Sequence, residues 1–208
     1  MKLICFIQAR MSSKRFPNKA LFKIKKKEIL KIIYERIKRD IKKLKIVILT
    51  SKDRRDKKIV NFCLKNKYLF FTGSLNNVYE RYKSALKKNK TDAFIRITGD
   101  SPLINVKLLK KMIKVFKKSN SDIITNVFPR SFPIGQSIEI INKKVFFKVS
   151  SKKLSKFQKE HITSYFYKNP LKYNILNIKN KRNLSKINLS INTKKDLKRL
   201  EKKIYEQI

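Results

Sequence analysis

Twelve residues near the amino terminus, Gln8-Ala9-Arg10-Met11-Ser12-Ser13-Lys14-Arg15-Phe16-Pro17-Asn18-Lys19, put four cations and two serine hydroxyls in one run with no acid among them. Backbone N–H groups and hydroxyls in such a loop can cradle phosphate oxygens, while the guanidinium and ammonium groups neutralise them. The run lacks the GxxxxGK[ST] spacing of a P-loop, which disfavours that kind of ATPase. Taken on its chemistry alone, it reads equally as a polyphosphate cradle or as one more basic loop in a basic chain.

Asp100 supplies the complementary chemistry. It follows an apolar run and Gly99, and a carboxylate there could hold a hard cation such as Mg²⁺ or simply cap the turn before Pro102. The chain has only three glycines, and Gly73, Gly99 and Gly135 all fall between predicted elements, where backbone freedom or close approach is needed. His161 is the sole histidine, so a multi-histidine metal site is excluded, and no Cys partner has ligand spacing. No Ser, Cys or Thr nucleophile stands beside a visible His–acid pair.

The elements that must position these residues alternate. Leu3–Gln8, Lys45–Leu49, Leu69–Phe71, Ala93–Ile97 and Ile123–Asn126 read as strands. Helical periodicity covers about 28–40, 54–66, 76–88 and 105–118. That alternation predicts βαβ units and a mostly parallel, Rossmann-like α/β sheet. Further on, Ser137–Ile141 and Tyr173–Ile178 read as strands, residues 142–149 and 158–168 as helices, and a last helix starts at Thr193. One domain over 1–208 is expected, with 1–126 binding nucleotide and 127–208 forming the acceptor or dimerisation part and closing helix. In open α/β sheets ligands bind outside the carboxyl ends of the strands, which is where the basic loop and Asp100 fall.

The formal charge of +41, from 55 Lys+Arg against 14 Asp+Glu, invites a nucleic-acid reading. Its distribution weakens that reading. In 105–118, Leu108, Leu109, Met112, Ile113 and Phe116 make one helical stripe, and six lysines fill the opposite face. With 44 Lys, 28 Ile and 17 Asn against 4 Ala and 3 Gly, the skew matches an AT-rich coding sequence. No RNA-recognition or zinc-finger signature is present, and no specific nucleic acid is expected. No apolar run reaches the ~20 residues of a membrane span. Leu3–Ile7 is too short for a signal-peptide core, and Cys5 and Cys63 make no disulfide framework. A cytoplasmic protein is the expectation.

The loop motif Q-A-R-x-x-S-x-R-x-P-x-K and the block Arg96-Ile97-Thr98-Gly99-Asp100-Ser101-Pro102-Leu103-Ile104 resemble the cytidylyltransferases that activate acidic sugars. The branch most similar is that of the spore coat polysaccharide biosynthesis protein F. Supporting matches run in order through Gly73-Ser74, Gly135-Gln136-Ser137-Ile138-Glu139, Glu160-His161-Ile162-Thr163 and Ile191-Asn192-Thr193 with Asp196-Leu197. The resemblance implies a Rossmann-like nucleotidyltransferase fold, usually a homodimer, that joins CMP from CTP to an acidic sugar and releases pyrophosphate. Gln8, Ala9, Arg10, Ser13, Arg15 and Lys19 would then bind the nucleotide together with Ser74, Thr98, Gly99 and Asp100. Arg10, Lys19 and Asp100 would act at the reacting phosphate, and Gln136, Glu139 and His161 would face the acceptor. Mg²⁺ would sit on Asp100 and on position 192, where the family carries Asp and this chain has Asn192. The rivals are a glycosyltransferase-like nucleotide-sugar enzyme, a weakened relative, and a basic nucleic-acid-binding protein.

Overall fold

β1 (Leu3–Gln8) is apolar on both faces because it is covered on both. Cys5 and Ile7 point into one hydrophobic cluster, Ile4 and Phe6 into another, as the two-residue period of a strand requires. A short hairpin follows, β2 (Lys23–Ile24) and β3 (Lys27–Glu28), then α1 (Ile29–Asp40) and β4 (Lys45–Ser51). Next come α2 (Lys57–Lys65), β5 (Phe70–Gly73), α3 (Val78–Lys87), β6 (Ala93–Thr98), α4 (Val106–Lys118) and β7 (Ile123–Thr125). The chain ends with β8 (Glu139–Asn142), α5 (Lys143–Lys148), α6 (Lys156–Glu160), α7 (Ser164–Tyr167), β9 (Ile175–Asn177) and α8 (Lys194–Tyr205). The computed structural model describes residues 1–13 and 15–206. Lys14, one of the four loop cations, lies outside the described residues.

Seven strands form one sheet in the order β5-β4-β1-β6-β8-β7-β9. β5, β4, β1 and β6 are parallel, β8 runs antiparallel to both its neighbours, and β9 pairs parallel with β7. Helices α1, α2, α4 and α8 bury their apolar stripes on one face, and α3, α5 and α7 cover the other. The chain winds outward from β1 through β4 to β5, then returns to place β6 on the other side of β1. That reversal is the switch point at which an α/β sheet opens a crevice beyond its strand ends. β8, from the carboxyl-terminal part, lies between β6 and β7 from the first 126 residues. The two parts therefore share one sheet.

The predicted fold class and the order of the main elements match the structure, with three local differences. The β2–β3 hairpin is absent from the sequence reading because its turn is Lys25-Lys26, both at positive φ, rather than a glycine or asparagine pair. The single helix expected over 158–168 is two: α6 begins early at a reciprocal Ser155–Gln158 cap, and the backbone leaves helical geometry at His161. Gly135, at φ +92°, lies so close to the next segment that an added Cβ would be 2.5 Å from the Ser190 amide nitrogen. Its smallness serves chain-to-chain contact, and it tethers the 188–191 segment beside the crevice.

Candidate active site

The crevice holds a pocket of about 420 Å³ between the loop after β1 and the turn after β6. Gly99 makes this junction possible. Its N–H donates to the Gln8 carbonyl at 2.8 Å, and a Cβ there would come within 3.0 Å of both that oxygen and the Ala9 Cβ. The turn thus lies flat against the loop.

The loop is held from below by Asp56, a fully buried carboxylate in the turn before α2. One oxygen accepts the Met11 N–H at 2.7 Å, and the other accepts the Ser51 N–H at 3.1 Å and the Ser51 hydroxyl. Buried Met11 and Phe16 add apolar anchors. The loop is therefore fixed at its base, with Arg10, Ser13, Arg15 and Lys19 facing the pocket.

Lys19 crosses that pocket. Its ammonium donates to Asp100 Oδ2 at 2.9 Å, to the Ile191 carbonyl at 3.1 Å and to Asn192 Oδ1 at 3.1 Å. All three of its protons are used, and the side chain is only 15% exposed. The acceptors are themselves positioned. The Ile191 N–H donates to the Asp100 carbonyl at 2.9 Å, which joins the 191–192 segment to the β6 turn. Thr193 and Asp196 cap α8 reciprocally, and Asp196 Oδ2 also accepts the Asn192 N–H at 3.0 Å. Burial works against the Asp196 charge, but these donors and Arg199 hold its carboxyl below the usual range.

Arg10 makes a weaker tie, to Glu160 at 2.8 Å with both side chains almost half exposed. Such a pair is worth only about 0–1 kcal/mol, so the guanidinium can exchange Glu160 for an incoming phosphate. Gln8, Ala9, Ser13, Arg15, Thr98 and His161 also line this pocket. The His161 ring lies 4.4 Å from that of Phe157.

Three expected site residues lie elsewhere. Ser74 does not line the pocket: its hydroxyl accepts the Asn77 N–H at 3.0 Å, and its carbonyl is clamped by the buried Arg81. Gln136 lines a separate cleft near Arg36 and Lys107, with its amide donating to the Leu103 carbonyl at 3.3 Å. Glu139 is 2% exposed and is paired with Arg96 beneath the pocket instead of facing an acceptor. Burial opposes its charge, but Arg96 and the Tyr167 and Thr163 hydroxyls together hold the Glu139 carboxyl below its ordinary value. Three contributors escape the sequence reading as site residues: Asp56, Glu160 and Arg96. A lone arginine inside the apolar run Ala93–Thr98 is the signal that marks the third.

The oxygens around Lys19 have the chemistry of a hard-cation site. Asp100, Asn192 and the Ile191 carbonyl offer one carboxylate and two neutral oxygens around a single point, an all-oxygen set of the kind Mg²⁺ prefers. Lys19 contests that point. Among the described residues no cluster of three or more His, Cys, Asp or Glu could hold a metal.

A cytidylyltransferase family model matches residues 4–207, nearly the whole chain. The chain belongs to the cytidylyltransferase family. It is a nucleotidyltransferase. It is 34% identical to an uncharacterised protein of Methanocaldococcus jannaschii over 95% of this chain and 81% of that one. To the spore coat polysaccharide biosynthesis protein SpsF of Bacillus subtilis it is 28% identical, over 99% of this chain and 87% of that one. Among solved structures, a cytidylyltransferase from Leptospira borgpetersenii superposes with a TM-score of 0.93 at 34% identity, covering 99% and 87% of the two chains. A CMP:2-keto-3-deoxy-manno-octonic acid synthetase, solved with CTP, superposes over the full length of both chains with a TM-score of 0.75 at 14% identity, a likeness of fold. Among the described residues no helix is long and apolar enough to cross a membrane.

Replacing Asp56 by Ala strips the Met11 and Ser51 donors of their acceptor, and the expected loss is on the order of 3 kcal/mol. Urea denaturation measures it, with faster amide exchange expected at Met11; unchanged stability and exchange would show that the loop is held by its apolar anchors alone.

Proposed function

We propose that this cytidylyltransferase transfers CMP from CTP to a hydroxyl of an acidic sugar, releasing pyrophosphate, for the assembly of a surface glycan. The observation that carries the reading is the convergence of the loop cations Arg10, Arg15 and Lys19 with Asp100 in one pocket at the switch point of the sheet. SpsF, named for spore coat polysaccharide biosynthesis, and the CTP-bound octonic acid synthetase support the choice of nucleotide and acceptor class.

In the reaction, an acceptor oxygen bonds to the α-phosphorus as the bond from that phosphorus to the bridging oxygen breaks. The hydroxyl proton is lost, and negative charge gathers on the departing pyrophosphate. Fixed cations aimed at that charge lower the barrier because they need no reorganisation as it develops. Lys19 is fixed by three acceptors, and Arg10 is close by and easily released from Glu160. The base of the loop lies against the ends of β1 and β6, which keeps the nucleotide at the sheet edge, and Glu160 and His161 form the rim toward the acceptor. Mg²⁺, held by Asp100 with a lesser share from Asn192, would supply further neutralisation of the phosphates. A homodimer in the cytoplasm is part of the same reading.

A thermal-shift screen of CTP, UTP, GTP and ATP with Mg²⁺ tests the nucleotide. Saturating CTP is expected to raise Tm by about 5–10 °C, well above the other three. Equal shifts would reject the assignment, and release of a nucleotide instead of pyrophosphate would point to a glycosyltransferase. Asn192→Asp adds a second carboxylate to the cation cage, so half-maximal pyrophosphate release is expected at several-fold lower Mg²⁺. Equal requirements would remove Asn192 from the metal site.

A further inference from the structure

Arg96 and Glu139 stand directly opposite each other where β6 pairs with β8, so their side chains share a face of the sheet. Burying such a pair is costly, and apolar residues of similar volume often serve stability as well or better. The carboxylate is fully used. Glu139 Oε2 accepts from Arg96 Nη1, and Oε1 accepts the Tyr167 hydroxyl, which stands 2.9 Å from Thr125 Oγ1. Tyr167 is in turn stacked on Phe128, with ring centroids 4.6 Å apart. Arg96 is not fully used. Among the described residues it spends only Nη1 on the protein, and its Nε is buried with no partner there. The side chain is 14% exposed and lines the pocket that holds Arg10, Lys19 and Asp100.

We propose that Arg96 is the acceptor-specificity residue of this pocket, its unspent Nη2 receiving the carboxylate of the sugar acid, with Glu139 and Tyr167 as the positioning residues that aim it. The inference rests on the cytidylyl transfer proposed above. Arg96 lies two residues before Thr98 on the same face of β6, which puts it about 7 Å along the strand from the phosphate-side turn. The pocket therefore has a cationic mouth for a polyphosphate and a separate cation at its floor. Nη2 has no protein partner among the described residues, and a charged guanidinium N–H suits an anionic carboxylate better than a neutral hydroxyl. Glu139 offsets the charge of Arg96, so the floor favours a singly charged group over a second polyanion.

The test is steady-state pyrophosphate release from CTP with N-acetylneuraminate and with 3-deoxy-octulosonate, each compared with its carboxamide. Wild type is expected to disfavour the carboxamides by about 30-fold or more in kcat/KM. The double variant Arg96→Met/Glu139→Gln removes both buried charges together, and Arg96→Lys keeps a charge for Glu139 while losing the second guanidinium nitrogen that reaches the pocket. Both are expected to raise the acceptor KM by about 30-fold, to leave the KM for CTP within about 3-fold, and to lose the preference for acid over amide. A rise confined to the KM for CTP would make Arg96 a nucleotide ligand and overturn the inference. So would wild type that accepts acid and amide equally, or that transfers CMP only to neutral sugars, although cytidylyl transfer itself would stand in both cases. If the variants fail to fold, the wild-type comparison of acid with amide still decides. No pyrophosphate release from CTP with any sugar would take down the parent reading as well.

Discussion

The ammonium of Lys19 joins three segments that are remote in sequence: the loop after β1, the turn after β6 and the approach to α8. Each of its protons has a fixed acceptor, on Asp100, Ile191 and Asn192. Without that junction the described contacts left to anchor the loop would be those at its base, Asp56 and the apolar residues, and the exposed Arg10–Glu160 pair. The pocket would then lose the wall that holds its cations together. A partly buried ammonium with three acceptors is also a poor guest to displace. This chain carries a neutral amide at position 192, so Asp100 is the single carboxylate that faces this ammonium.

The sheet explains why these segments meet. Its order reverses between β1 and β6, and the loops leaving those two strands face each other across the crevice. Gly99 lets them approach, and Gly135 lets the 188–191 segment close over them. Against this frame the +41 charge is mostly background. The lysines of α4 lie opposite its apolar stripe, while Arg10, Arg15 and Lys19 gather in one pocket at the sheet edge. The background still has an effect, since a strongly basic surface raises the local concentration of anionic substrates and speeds their encounter.

Much of this was legible in the residues. Strand and helix periods located the core elements because the protein buries its apolar residues with ordinary spacing. The acid-free run from Arg10 to Lys19 and the Gly99-Asp100 turn marked the pocket because scarce residue types stand out in so skewed a composition. What stayed hidden depends on pairing across the fold. Asp56 reads as a solvated acid beside two arginines until the end of β4 and the β1 loop are seen to share it. Glu139 reads as a ligand-facing strand residue until its register against Arg96 is known, and a shift of one residue would reverse its facing. Ser74 and Gln136 sit in segments that match the family but turn their side chains to local hydrogen bonds. The Lys25-Lys26 hairpin carries no turn signal at all.

Under the proposed function, Lys19 both knits the pocket and neutralises the triphosphate. Calorimetric titration of CTP with Mg²⁺ into wild type and Lys19→Met addresses it directly, with thermal unfolding run alongside to confirm that the variant is folded. Binding is expected to weaken by about 30-fold or more, as when a fixed positive charge beside the phosphates is lost. A folded Lys19→Met protein that binds CTP as tightly as wild type would contradict it.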